Sequence, residues 1–227
     1  MSTNLRSSIP NRTPVRLATA AVAILAAGHA HGQAAPELAS LTLQKSLIAG
    51  CLPVKSTIAL TAPAPAGGLK VTLSETLAAA TVATTVTVPE GATSKVFYVK
   101  TQRVYAEETG TVSATLAGTT LTQGLTLHPI GMFWVRLTPY ATHGGTPVEM
   151  TAKLDCKIVG EPVLIEFSSS DPSVAGTTVP SILATEGMWY VPVPVYTNPV
   201  SSTKKVVLTA TANGYSKSRT QTVWPPK

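Results

Sequence analysis

Short runs of alternating apolar and polar residues recur along the chain, separated by turns rich in Gly, Pro and Thr. Leu69, Val71 and Leu73 occupy every second position of one run, so their side chains share one face of an extended strand. The 3.6-residue period of an amphipathic helix is not evident in any segment. The pattern therefore predicts an all-β protein of half-buried strands. In the first half, the predicted strands are 41–43, 57–61, 69–73, 82–88, 96–101, 110–116 and 121–127.

Residues 41–128 are repeated in residues 135–224. A shift of 94 aligns Leu60 with Leu154, and a shift of 96 aligns Gly118 with Gly214. One small loop insertion between homologous domains accounts for the change of shift. About seven short strands per repeat predict two tandem immunoglobulin-like β-sandwiches, the first over residues 35–129 and the second over 130–227. In the second, the predicted strands are 135–137, 148–154, 163–167, 179–184, 192–197, 206–212 and 217–223.

The N-terminus has the pattern of an export signal. Three arginines lie within the first 16 residues, the apolar run 17–28 follows, and small residues come next. This arrangement predicts a signal peptide over residues 1–34, cleaved after Gly32 or after Ala34. The alternative is a transmembrane anchor, but the run is well short of the roughly 20 residues that span a bilayer. We expect a secreted protein, extracellular or periplasmic, with no stable membrane insertion after cleavage.

Composition and charge narrow the function classes. Charged residues make up only 12% of the chain and aromatic residues 5%, as is typical of Thr- and Val-rich β-sandwiches. The net charge of +6 falls to +3 without the three arginines of the predicted signal peptide. Since no stripe of Lys and Arg interleaved with aromatic residues follows, we expect no nucleic-acid partner.

Several turn and strand segments resemble a known family. Ala-Pro-Ala-Pro-Ala-Gly-Gly at 62–68, Val-Thr-Leu-Ser at 71–74 and the segment 85–94 are similar to bacterial immunoglobulin-like (Big-type) domains of exported proteins. The Ser-rich segment 168–175, with Asp-Pro-Ser-Val-Ala, is also similar, whereas its counterpart 74–81 departs from the pattern. The resemblance covers nearly all of 38–225. It implies a spacer, stalk or adhesive module, and its motifs specify fold rather than function.

The two cysteines are not equivalent in the repeat. Cys51 aligns with Gly145 and Cys156 with Ala62, so neither sandwich can hold an internal disulfide. With the sandwiches end to end, both cysteines are expected at the junction around 129–131. An exported protein meets oxidising surroundings, so a disulfide between the sandwiches is chemically reasonable. The alternative is two unrelated buried thiols.

Catalytic chemistry has no clear signature in this sequence. Outside the predicted signal peptide, histidines and carboxylates are scattered without the spacing of a metal site or of a nucleophile with its base. Motifs for phosphate binding, zinc proteolysis or serine hydrolysis are not recognisable. We therefore expect no enzyme, no metal and no cofactor.

Aromatic residues concentrate in the second repeat. Met188, Trp189 and Tyr190 follow a Gly turn, where a side chain is expected to be exposed, and form the best candidate contact patch on the chain. Packing in the core or at the interface is the simpler explanation of the aromatic residues in this repeat. The other aromatic residues that could contribute to a sugar-binding platform are Phe133, Trp134, Tyr196 and Trp224.

Pro192 and Pro194 lie two residues apart in a predicted strand. Their missing N–H groups would point to the same side, which could not donate hydrogen bonds to a neighbour. We predict an edge strand, or a strand paired fully on one side only.

These observations lead to one functional hypothesis and one alternative. The first is a non-catalytic extracytoplasmic structural or adhesive module of the cell surface. The alternative is a carbohydrate- or protein-binding module that uses the aromatic patch near Trp189 and Tyr190. In either case the expected partner is a surface protein or a glycan of unknown identity.

Overall fold

The computed structural model describes Met1 and residues 35–227, and all of the regular structure in this part of the chain is β-strand. The predicted signal peptide, apart from Met1, lies outside the described residues. None of the residues described forms a helix long and apolar enough to cross a membrane. The strands are β1 (Leu38–Leu43), β2 (Leu47–Ala49), β3 (Val54–Leu60), β4 (Leu69–Glu75), β5 (Ala80–Thr81), β6 (Thr85–Val88), β7 (Ser94–Thr101), β8 (Glu108–Leu116), β9 (Thr119–His128), β10 (Met132–Thr138), β11 (Ala141–His143), β12 (Val148–Leu154), β13 (Val163–Ser169), β14 (Ala175–Thr177), β15 (Ser181–Ala184), β16 (Tyr190–Thr197), β17 (Lys204–Ala212) and β18 (Tyr215–Trp224).

The strands form two sandwiches of the same design. The first combines the sheets β1-β3-β7-β5 and β2-β9-β8-β4-β6. The second combines β10-β12-β16-β14 and β11-β18-β17-β13-β15, which is the same order nine strands later. In each sandwich the last strand pairs in parallel with a short strand near the start, β2 with β9 and β11 with β18. The repeat in the sequence is therefore a repeat of topology.

Each sandwich has its own hydrophobic core within one compact unit. The predicted alternation is confirmed in β4, where Val71 and Leu73 are buried and Leu69 is partly buried. In the equivalent strand β13, Val163 and Ile165 are buried in the second core. Burial of alternate apolar residues on the facing sheets is the main stabilising contribution to such a fold.

Four short strands were not predicted from the sequence: β2, β5, β11 and β14. Each has only two or three residues, too few to show a period of two. They pair at sheet edges, so each sandwich has nine strands rather than about seven. The run 82–88 is correspondingly shorter than predicted, because only Thr85–Val88 is strand β6.

Strand β16 is paired fully on one side only, as Pro192 and Pro194 predict. It pairs with β12 from residue 190 to residue 195 but with β14 only over residues 195–197. The carbonyl of Trp189 accepts a hydrogen bond from the Leu154 N–H of β12. Backbone groups alternate in direction along a strand, so those of residues 190, 192 and 194 point toward β14. Both prolines therefore direct their missing N–H toward the side with few hydrogen bonds, where the Pro194 carbonyl still accepts from Thr178.

A buried polar residue in the second core leads to a stability prediction. Gln221 is fully buried, and its Oε1 atom has no hydrogen-bond partner in the described part of the chain. At the equivalent position the first core has Leu125, also fully buried. We expect Gln221→Leu to raise the free energy of unfolding by about 1–2 kcal/mol, because it removes an unpaired buried carbonyl. The urea midpoint measures the change.

The reverse substitution is the matched control. Leu125→Gln is expected to lower the free energy of unfolding of the first sandwich by about 2–3 kcal/mol, since it buries a new amide among apolar side chains. A destabilised Gln221→Leu variant would show instead that the amide of Gln221 contributes through a partner.

Candidate binding surface

A tight turn before β16 positions the predicted aromatic patch. Gly187 has φ of +84°, and the N–H of Met188 donates to the Thr185 carbonyl at 3.0 Å. The N–H of Ile158 donates to the Met188 carbonyl at 2.8 Å, which fixes the turn against the neighbouring loop. The Met188 side chain packs partly against the second core. Met188 therefore supports the turn, and the two residues after it are directed outward.

Trp189 and Tyr190 are exposed by 38% and 49% of their surface, and their ring centroids are 5.4 Å apart. The indole Nε1 of Trp189 donates to the Leu154 carbonyl at 2.9 Å. The Leu154 N–H donates in turn to the Trp189 carbonyl at 3.0 Å. Trp189 is thus held at one ring edge and at its backbone, while part of the residue remains exposed to solvent.

A β-bulge in β10 adds two more rings to the same surface. The register between β10 and β12 shifts between Met132 and Trp134, so that Phe133 is the extra residue. Met132 and Val135 are buried in the core, whereas Phe133 is 48% exposed and Trp134 is half-buried. Core packing, the simpler explanation from the sequence, therefore does not hold for Phe133.

Lys153 of β12 lies among the four rings. It pairs with Trp134 on one side and with Tyr190 on the other, in one row across three strands. Its Nζ atom is 4.3 Å from the ring centroid of Trp189 and 4.9 Å from that of Phe133. The distances to Tyr190 and Trp134 are 5.3 and 5.9 Å. Each such cation–π contact contributes about 0.5–1 kcal/mol at an exposed site.

We name this group of side chains the aromatic–lysine surface: Phe133, Trp134, Lys153, Trp189 and Tyr190. The first sandwich has the same bulge, with a register shift between Leu38 and Ser40. Small side chains take the five equivalent places there, so the surface belongs to the second sandwich alone. These equivalents are Ala39, Ser40, Ala59, Thr93 and Ser94.

Sequence reasoning found Trp189 and Tyr190 but missed Lys153 and the grouping of all five residues. Lys153 lies in strand β12, which contains no aromatic residue. Only the pairing of strands brings it between Trp134 and Tyr190. A signal was present in the repeat, because Phe133-Trp134 replaces Ala39-Ser40.

The structure pairs Cys51 with Cys156 in a disulfide, with 6.5 Å between their Cα atoms. Both residues pack against the second core, although Cys51 follows β2 of the first sandwich. Cys51 has φ of 131°, in the range that favours glycine, and Gly145 at the equivalent position has φ of 89°. One of the two bonded cysteines, Cys51, thus has a backbone conformation that glycine adopts more easily.

Other contacts join the sandwiches beside the disulfide. Tyr215 stacks on His128 at a centroid distance of 3.9 Å, and its hydroxyl donates to Glu107 at 3.3 Å. Partial desolvation, followed by the Glu107 carboxylate, raises the pKa of Tyr215. Arg103 of the first sandwich donates to the Val159 carbonyl of the second.

The described residues were also compared with the requirements of a metal site. No group of three or more His, Cys, Asp or Glu side chains could hold a metal ion in the part of the chain that the structure describes. His128 lies at the junction, and His143 contacts Trp224 with a centroid distance of 5.5 Å.

Comparison with known proteins leaves the family open. The search of protein-family models finds no match, and neither does the search of curated proteins. Among solved structures, the D0-D1 domain of intimin is similar at 13% identity and a TM-score of 0.35, covering 84% of this chain and 99% of that chain. The adhesin InvE of Yersinia pseudotuberculosis is similar at 16% identity and a TM-score of 0.35, covering 81% of this chain and 58% of that chain.

Trypsin-activated alpha-2-macroglobulin from Escherichia coli is similar at 10% identity and a TM-score of 0.34, covering 84% of this chain and 18% of that chain. Identities and TM-scores this low carry no argument about function. The candidate surface is therefore interpreted from its own residues.

Proposed function

We propose that the chain is an exported, non-catalytic structural or adhesive module of the cell surface. The observation that carries this proposal is the contrast between the two copies. They share strands, turns and bulges, which describe a scaffold, and they differ in the aromatic–lysine surface and in the cysteines. The first sandwich then supports the second, and the second makes the contact.

The junction supports the structural part of the proposal. A disulfide between the sandwiches is expected to form outside the reducing cytoplasm. This agrees with the export that the predicted signal peptide implies. With the hydrogen bonds of Arg103 and Tyr215, it joins the contact-bearing sandwich to its support.

A binding module for a carbohydrate or a protein is the second candidate, and the exposure of Trp189 favours it. Exposed aromatic residues on a rigid sheet are frequent anchors of recognition, because they bury much area at little cost in conformational entropy. The indole N–H of Trp189 already has a hydrogen-bond partner, and 38% of the residue is exposed.

Binding of the purified mature chain to intact cells of the strain that encodes it tests the proposal. We expect the variant Trp189→Ala/Tyr190→Ala to bind at least about tenfold more weakly, since loss of central aromatic anchors typically costs 2 kcal/mol or more. The variant Thr93→Ala/Ser94→Ala changes the equivalent positions of the first sandwich and should bind like the wild type.

Flow cytometry of labelled protein on these cells measures both variants. Equal binding by the wild type and by Trp189→Ala/Tyr190→Ala would leave a spacer as the function and exclude the aromatic–lysine surface as its contact.

A further inference from the structure

We infer that the aromatic–lysine surface and the groove beside it bind an acidic polysaccharide. The inference rests on the proposed function, because it names the class of ligand for the same surface. Three observations carry it: the grouping of partly exposed rings, the position of the ammonium group, and the continuation of positive charge past Trp134.

The ring faces suit a sugar. The C–H groups of a pyranose pack on an aromatic face, whose quadrupole is negative. Trp134, Trp189 and Tyr190 lie in one group. The ring centroid of Tyr190 is 5.4 Å from that of Trp189 and 6.0 Å from that of Trp134. The Nε1 of Trp189 donates to the Leu154 carbonyl, which fixes the indole against the sheet while 38% of the residue stays exposed.

The ammonium of Lys153 supplies the preference for an acid. Rings, which are weak partners for a cation, surround it within 4.3 to 5.9 Å. A carboxylate or sulfate brought onto these rings would form a charge-assisted hydrogen bond beside apolar surface, where such a bond is stronger than in open water. The acidic residue nearest to Lys153 along the chain is Asp155, two positions further on, and its carboxylate accepts a hydrogen bond from the Gly131 N–H at 2.9 Å.

Positive charge continues from Trp134 along the edge of the sheet. A shallow groove there is lined by Trp134, Arg136, Tyr140 and Arg219. Tyr140 and Arg219 also line the next depression, together with Lys205. None of the described residues lining either depression is acidic. One aromatic cluster followed by separated cations fits a chain of repeating acidic sugars better than a single small anion.

A lipid surface fits these observations less well. A membrane-binding face inserts projecting aromatic and aliphatic side chains between headgroups. Here the indole N–H of Trp189 is held by the Leu154 carbonyl, and Trp134 is half-buried beside Lys153. The indole of Trp189 is therefore hydrogen-bonded to the sheet rather than projecting from it.

Isothermal titration of the mature chain with defined probes tests the inference. The acidic probes are polygalacturonate and dextran sulfate, and the neutral ones are methyl-esterified polygalacturonate and dextran. We expect at least one acidic polymer to bind about tenfold or more tightly than its neutral counterpart. The two acidic polymers distinguish a carboxylate from a sulfate.

Three variants assign any binding to the surface. Trp189→Ala should weaken binding of the acidic polymer at least about tenfold. Lys153→Gln should weaken it and also reduce its dependence on salt, whereas Lys70→Gln on the first sandwich should do neither. A cooperative urea unfolding transition shows that each variant is folded.

Equal binding of acidic and neutral polymers would overturn the inference, as would binding unaffected by Trp189→Ala and Lys153→Gln. Tighter binding to phosphatidylglycerol vesicles or to a single-stranded oligonucleotide would also overturn it. Cell binding that depends on Trp189 without any binding to the polymers would overturn the ligand class alone and leave the proposed function in place.

Discussion

Replacing Cys51 and Cys156 together by alanine is expected to lower the free energy of unfolding by about 3–5 kcal/mol. The disulfide joins residues 105 positions apart, and the loop it closes contains most of the first sandwich. Closing so long a loop restricts the unfolded chain strongly, which accounts for the size of the effect. Urea unfolding of the oxidised wild type and of the double variant measures the difference.

Reduction of the wild type provides the first control. With reductant present, its urea midpoint should fall to that of the Cys51→Ala/Cys156→Ala variant. A double variant with the midpoint of the oxidised wild type would mean that the two sulfurs are not bonded in the protein.

A glycine at position 51 should recover part of the loss. We expect Cys51→Gly/Cys156→Ala to be more stable than Cys51→Ala/Cys156→Ala by about 1 kcal/mol, because alanine is strained at positive φ and glycine is not. Gly145 shows that this fold uses glycine at the equivalent position. An alanine variant at least as stable as the glycine variant would contradict the strain at Cys51.

The architecture could be predicted from the sequence because it is encoded locally and twice. Alternation in the runs 69–73 and 163–167 identifies strands, and the change of shift between the copies identifies a loop. The single-sided pairing of β16 follows from Pro192 and Pro194 in the same way. The short strands β5 and β14 could not be predicted, since they arise only from pairing with β7 and β16.

The candidate surface could be predicted only in part, because it depends on register between strands. Trp189 and Tyr190 follow a visible Gly turn. Lys153 becomes part of the surface through its pairing with Trp134 and Tyr190, which no single strand encodes. Phe133 reaches the surface because a bulge interrupts the alternation of β10, and a strict period of two does not anticipate the bulge.

Because both sandwiches have the same bulge and register, the surface should be transferable. Ser40 pairs with Ala59, and Ala59 pairs with Ser94, just as Trp134, Lys153 and Tyr190 pair in the second sandwich. We expect a graft on the first sandwich to rebuild the group of rings around a lysine. The graft consists of Ala39→Phe, Ser40→Trp, Ala59→Lys, Thr93→Trp and Ser94→Tyr.

The formation of the graft can be checked without a ligand. Ring currents should shift the ε-methylene protons of the lysine introduced at position 59 upfield, as they should those of Lys153 in the wild type. The single variant Ala59→Lys lacks the rings and should show no such shift.

Binding to intact cells by the variant Trp189→Ala/Tyr190→Ala carrying this graft tests most directly whether the aromatic–lysine surface is the functional difference between the copies. Flow cytometry should show that the graft restores a large part of the binding lost in the ungrafted Trp189→Ala/Tyr190→Ala variant. A folded graft that shows the upfield lysine shift but restores no binding would contradict the claim.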